Sequence, residues 1–158
     1  MAAAARRIGY ALDRFVRPLP PLPVSTVLIA DNDAAVSALL AEVLVRRGLA
    51  VERAFDGAAA AARARAPHVA VLVCDLDMPK LGGADVLESL ADLPRPPLAV
   101  VVSGYLDAAI EHRLQRLPFV VDVFRKPFDL LAFAGRVAEL VATRSAGDQP
   151  PAVAEADG

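Results

Sequence analysis

The feature that most constrains this chain is the unbroken apolar run Val69-Ala70-Val71-Leu72-Val73-Cys74, which ends at the acid Asp75. A strand with one wet face alternates apolar and polar residues, whereas a run without polar residues fits a strand buried on both faces. Such a strand needs a covering layer on each side, and the economical solution is a parallel sheet sandwiched between helices.

The surrounding sequence supplies those parts. Val27-Leu28-Ile29-Ala30 is a second apolar run. Asp33 then serves as a helix N-cap, and Val36, Leu39, Leu40, Val43 and Leu44 recur at helical spacing as an expected inward face, until Gly48 ends the helix. Ala38, Ala41 and Val45 are left for the outer face. Leu49 to Phe55 reads as a strand, and residues 56–66 as an alanine-rich helix closed by Pro67. After the central run, Gly82 and Gly83 precede a helix through Leu93, and Leu98 to Val102 is a strand. A helix from about Tyr105 to Arg116, a strand from Phe119 to Phe124 and a helix from Phe128 to Thr143 complete the pattern. Repeated βα units in one domain specify an α/β fold with helices on both faces of a parallel sheet.

The flanks differ. Residues 1–23 form an extension ending in Pro18, Pro20, Pro21 and Pro23, with Ile8, Leu12, Phe15, Val16 and Leu19 at near-helical spacing among arginines. That pattern fits a short helix on its own domain or a frayed arm, a homodimer or partner contact, or a membrane-surface contact, in that order. Residues 24–144 read as the folded domain, and residues 145–158 as a disordered tail.

Composition removes several function classes. A net charge of −2 gives no basic excess for nucleic acid. No apolar run has the length of a membrane span, and the first residues lack the apolar segment of a secretion signal. One cysteine, Cys74, excludes an internal disulfide framework and fits a cytoplasmic protein. His68 and His112 have no Cys or His at ligand spacing and read as surface residues.

In open α/β sheets chemistry gathers beyond the carboxyl ends of the strands. Asp31, Asn32 and Asp33 follow the first run, Asp75 and Asp77 the third, Ser103 the fourth and Lys126 the fifth. Clustered oxygens suit a hard cation such as Mg²⁺. A carboxylate beside such a cation can attack phosphorus, and a hydroxyl and an ammonium can hold the transferred oxygens.

These residues also carry a resemblance. Val27 to Asp33, Asp75-Leu76-Asp77-Met78-Pro79 with Gly83, Ser103-Gly104 and Lys126-Pro127-Phe128 resemble, in order, the four motifs of the response-regulator receiver domains of bacterial two-component signalling. The resemblance covers roughly residues 25–143. It implies a flavodoxin-like, doubly wound sheet of five parallel strands in the order 2-1-3-4-5 with five helices. It implies Asp75 as phosphoacceptor, Ser103 and Lys126 at the phosphoryl group, and Mg²⁺ held by Asp31, Asn32, Asp75 and the backbone carbonyl of Asp77. It further implies a cis Lys126-Pro127 bond. The implied partners are a sensor histidine kinase or a histidine phosphotransfer protein and an unidentified downstream protein. With only a helix and a tail after Lys126, a stand-alone receiver is expected.

Departures from the family pattern shape further expectations. Asn32 stands where the family usually has an acid, so cation binding is expected to be weaker. Val123 stands where the family has its switch aromatic, three residues before the lysine. Asp77 and Tyr105 flank the expected path of a hydrolytic water, and Tyr105 is expected to shield the site. Two alternatives stay open. Asp75-x-Asp77 also resembles the first motif of haloacid-dehalogenase-type phosphatases, although here the acidic cluster precedes the nucleophile. A pseudo-receiver that binds without phosphorylation is the other, motivated by Asn32 and Val123.

Overall fold

The computed structural model describes residues 25–147; the expectations for residues 1–23 and for the tail beyond Gly147 lie outside the described residues. The chain runs β1 (Thr26–Ala30), α1 (Ala34–Val45), β2 (Ala50–Ala54), α2 (Gly57–Arg63), β3 (Val69–Asp75), α3 (Gly83–Ser89), β4 (Leu98–Ser103), α4 (Ala108–Gln115), β5 (Val120–Arg125) and α5 (Leu130–Gly147). All strands are parallel, in the order β2-β1-β3-β4-β5. This is the architecture expected from the central apolar run, and every residue of β3 is buried.

Two apolar layers clamp the sheet. On one face Leu28, Leu72, Cys74 and Val101 pack with Val86, Leu87 and Leu90 of the α3 segment and with Leu114 of α4. On the other, Val27, Ile29, Val73 and Val100 pack with Leu40 and Leu44 of α1 and with Phe133 and Val137 of α5. The alternation along β1 and β3 is between the two cores rather than between core and water, which is why residues 27–30 and 69–74 are all apolar.

Helix starts follow their caps. The carboxylates of Asp33, Asp56 and Asp107 accept backbone N–H groups of α1, α2 and α4. Asp129 does the same for Leu131 and Ala132 at the head of α5. The caps at Asp107 and Asp129 move the starts of α4 and α5 past Tyr105 and Phe128. At its other end α3 stops at Ser89, short of Leu93, because the chain passes into tight turns with Ala91 N–H on Glu88 O and Leu93 N–H on Leu90 O. The last helix continues to Gly147, past the boundary expected at residue 144, and Ser145 is tied to Ser25 by a 3.0 Å hydroxyl contact.

The inner face of α1 is the expected one at Val36, Leu40, Val43 and Leu44 and departs from it at Leu39. Its buried residues are Ser37, Leu40 and Leu44, while Leu39 is 46% exposed. An almost wholly apolar helix has no polar face to fix its rotation, so a polar contact decides. Arg53 of β2 donates Nε–H to Ser37 Oγ (2.8 Å) and Nη2–H to the carbonyl of Ala34 (2.9 Å). This turns Ser37 inward and Leu39 outward. Loss of the donor leaves a buried hydroxyl without this partner, so Arg53→Met should cost about 1 kcal/mol, and Ser37→Ala in the same background should return part of it. Urea unfolding of the four members of that cycle measures the coupling; additive effects would show that the pair does not set the helix.

Candidate functional site

The parallel register brings the strand ends level. Ala30 pairs with Cys74, so Asp31 sits beside Asp75, and Asp31 N–H donates to Ala54 O (3.1 Å). Asp75 pairs with Val102, which places Ser103 one step beyond it, and Lys126 N–H donates to Ser103 O (2.9 Å). Asp31, Asp75 and Ser103 are 1%, 6% and 3% exposed, so the edge of the sheet holds buried polar groups at the end of an apolar core.

Asp75 is gripped on both carboxylate oxygens. Its Oδ1 accepts the N–H of Asp77 (3.1 Å), and its Oδ2 lies 3.4 Å from Lys126 Nζ. The same ammonium stands 3.6 Å from Asp31 Oδ2. Asp31 Oδ1 accepts the N–H of Asp33 (2.8 Å), whereas its Oδ2 is buried without a hydrogen-bond partner. Two carboxylates therefore share one ammonium, and the pocket keeps an excess of negative charge. Burial, and the neighbouring charge of Asp75, push the Asp31 carboxyl above its usual range, partly offset by the Asp33 N–H and Lys126.

The other expected residues are placed differently. Asp77 contributes its backbone N–H while its side chain is exposed. Asn32 is exposed at the mouth of the site. Ser103 faces its own loop: Oγ donates to Tyr105 O (2.6 Å) and accepts Tyr105 N–H (3.2 Å). The Tyr105 side chain is 75% exposed, so it stands in solvent, and the shielding expected of it is not what the structure shows. The Lys126-Pro127 bond is cis, as the motif implied. Val123 is 37% exposed and lines an open groove of 570 Å³ with Leu106, Leu114 and Val120, rimmed by Glu111 and Arg125.

Among the described residues, no group of three or more His, Cys, Asp or Glu side chains gathers at metal-ligand spacing. A cation here would rest on two carboxylates and neutral oxygens. Asp31 Oδ2, which accepts no hydrogen bond and shares its ammonium with Asp75, fits such a cation.

Gly83 and Gly57 carry packing roles near this site, the second unexpected. A Cβ on Gly83 would lie 2.1 Å from Asp75 O, and one on Gly57 would lie 1.7 Å from Leu81 O. The Asp56-Gly57 pair at the head of an alanine-rich helix was the available signal.

The family model described as "Response regulator receiver domain" matches residues 27–137. Over 106 residues the chain is 35% identical to the transcriptional regulatory protein FixJ of Rhizobium meliloti, covering 66% of this chain and 50% of that protein. It is 34% identical over 103 residues to protein-glutamate methylesterase/protein-glutamine glutaminase 1 of Anaeromyxobacter dehalogenans, covering 64% of this chain and 29% of that protein. The match thus spans half or less of the length of these relatives. Among solved structures, the response regulator signal receiver domain from Bermanella marisrubri superposes with a TM-score of 0.65 at 35% identity, covering 74% of this chain and 98% of that one. The CheY-like receiver domain protein from Methanospirillum hungatei JF-1 gives 0.71 at 18% identity, over 78% and 98%, a likeness of fold.

A buried, incompletely paired carboxylate is a cost to the fold that one hydrogen bond and a shared ammonium only partly offset. Asp31→Asn keeps an oxygen for the Asp33 N–H and removes that charge. In metal-free buffer it should raise the stability by about 1 kcal/mol, seen as a higher Tm by calorimetry. A lower Tm would mean that Lys126 already neutralises Asp31.

Proposed function

This chain belongs to the response regulator receiver domain family, and from that membership we propose that it is a phosphoacceptor switch in which Asp75 takes a phosphoryl group from a phosphohistidine. The observation that carries the reading is the Asp75 carboxylate itself. It lies at the sheet edge, one oxygen held by the Asp77 N–H and the other facing Lys126, beside an Asp31 oxygen that accepts no hydrogen bond.

The chemistry is an in-line displacement. An Asp75 oxygen attacks phosphorus, an O–P bond forms, the P–N bond to the donor imidazole breaks, and the imidazole keeps the electron pair and takes up a proton. Lys126 is placed to follow the charge from the carboxylate to the phosphoryl oxygens. Ser103 can add its hydroxyl by turning away from the Tyr105 carbonyl, which frees the loop before α4. In this reading Asp31, Asp75 and the Asp77 carbonyl, with Asn32 at the mouth, hold Mg²⁺. When bound, the cation offsets the repulsion between the acidic pocket and the incoming phosphoryl group.

The donor is a sensor histidine kinase or a histidine phosphotransfer protein. The outward residues of α1, Ala38, Leu39 and Val45, offer it an apolar face beside the site. Among the described residues no helix is long and apolar enough to cross a membrane.

Incubation with Mg²⁺ and a small phosphodonor, followed by mass spectrometry, tests the central claim. The protein should gain one phosphoryl group on Asp75, and Asp75→Asn should gain none while keeping its fold. No gain by the wild type would favour a pseudo-receiver, and continued turnover of the donor would favour a phosphatase. The neutral Asn32 gives a second expectation. Asn32→Asp adds a carboxylate to the mouth and should tighten Mg²⁺ binding by about tenfold. Unchanged binding in a titration would show that position 32 does not face the cation.

A further inference from the structure

The segment that follows the acceptor, residues 76–82, is held at more points than a connecting loop needs. At its base, Gly83 N–H donates to Leu76 O (3.0 Å), and Gly83 packs against the backbone of Asp75 so closely that a Cβ would collide with it. In its first half, Asp77 N–H reaches Asp75 Oδ1, and Met78 is buried in the core. At its tip, Pro79 O accepts two N–H groups, from Leu81 (2.8 Å) and from Gly57 of α2 (3.2 Å). Between them Lys80 adopts a positive φ of 68°, a conformation that costs a side-chain-bearing residue about 1 kcal/mol or more.

The outer support comes from the head of α2. Asp56 caps that helix through Ala59 N–H (2.8 Å) and also faces Lys80 Nζ at 3.3 Å. The ion pair is largely exposed and adds little by itself. The backbone contact is the strong one, because Gly57 abuts the Leu81 carbonyl where no other residue fits. A loop fastened only at Asp75 and Gly83 would be free to pivot about its base. Fastening Pro79 to Gly57 removes that freedom, and the main chain of Asp77 lies between the two anchors.

We propose that the head of α2, through Gly57 and the left-handed turn at Lys80, is a positioning element for the phosphorylation site: it sets where the Asp77 backbone stands relative to Asp75 and Asp31, and thereby how tightly the site holds a divalent cation. This rests on the reading of Asp75 as the phosphoacceptor. Gly57 and Lys80 are not catalytic, since they act only through the loop.

The deciding experiment compares Lys80→Gly with Lys80→Val in the full chain, with Mg²⁺ as the probe and its dissociation constant read by titration calorimetry. Both variants lose the ammonium, so any direct charge effect on the cation cancels. Glycine accepts the positive φ, whereas valine resists it. Lys80 is exposed, so both variants should fold. The valine variant should bind Mg²⁺ about three- to tenfold more weakly than the glycine variant. Equal constants would overturn the proposal, whatever else the substitutions do to stability. Gly57→Ala, where it folds, should weaken binding at least as much as Lys80→Val; wild-type binding by a folded Gly57→Ala would also overturn it. Failure of the underlying reading looks different, since the wild type itself would then bind no Mg²⁺ and take no phosphoryl group, and the positioning role would fall with it.

Discussion

The site depends on one unequal ion pairing: two buried carboxylates, Asp31 and Asp75, facing the single ammonium of Lys126. In water such a triad would cost little. At the edge of an apolar core it leaves one negative charge more than the single ammonium can balance, and the Ser103 hydroxyl, bonded to its own loop, adds no hydrogen bond to it. The core supplies the stability that this arrangement spends, through the fully buried β3 and the helical layers on either side. A scaffold selected for stability alone would not place two acids there, which is why this edge, and no other part of the sheet, reads as the working part of the molecule.

Much of this was legible in the sequence because two signals were redundant. The apolar run before Asp75 demanded a two-sided sheet, and the residues just beyond each run were chemically compatible with one another. Parallel strands then convert position in sequence into proximity in space, since ending together puts Asp31, Asp75, Ser103 and Lys126 on one edge. What periodicity could not supply was rotation and contact. On α1 the run from Val36 to Val45 is apolar at too many positions to separate Leu39 from its inward neighbours, and the long-range contact from Arg53 to Ser37 is what local periodicity does not record. For Tyr105, bulk pointed to shielding, but bulk carries no direction, and the ring lies in solvent while its backbone engages Ser103. The contact between Gly57 and Leu81 joins residues far apart in sequence, so the Asp56-Gly57 pair marks the glycine but not what it abuts.

The two sides of the sheet also divide the labour. On one, Phe124, Phe128 and Phe133 meet with ring centroids 5.4 to 5.6 Å apart, packing the segment around Lys126 onto α5. On the other, Arg113 of α4 bonds to Asp85 and Glu88 of α3 at the surface, a contact that water weakens. The lysine end of the site is thus fastened by aromatic packing, whereas α4 joins its apolar anchor Leu114 to a set of exposed polar contacts and borders the open groove beside Val123.

Cys74, directly before Asp75, is wholly buried, and burial raises its thiol far above the range in which thiolate forms. It is also the only sulfhydryl in the chain. A modifying reagent must wait for the layer of α3 over β3 to open before it finds a nucleophile. The rate of thiol modification in native buffer therefore follows openings of that layer, and a shift in the rate would register any ligand that tightens the fold around the neighbouring carboxylate.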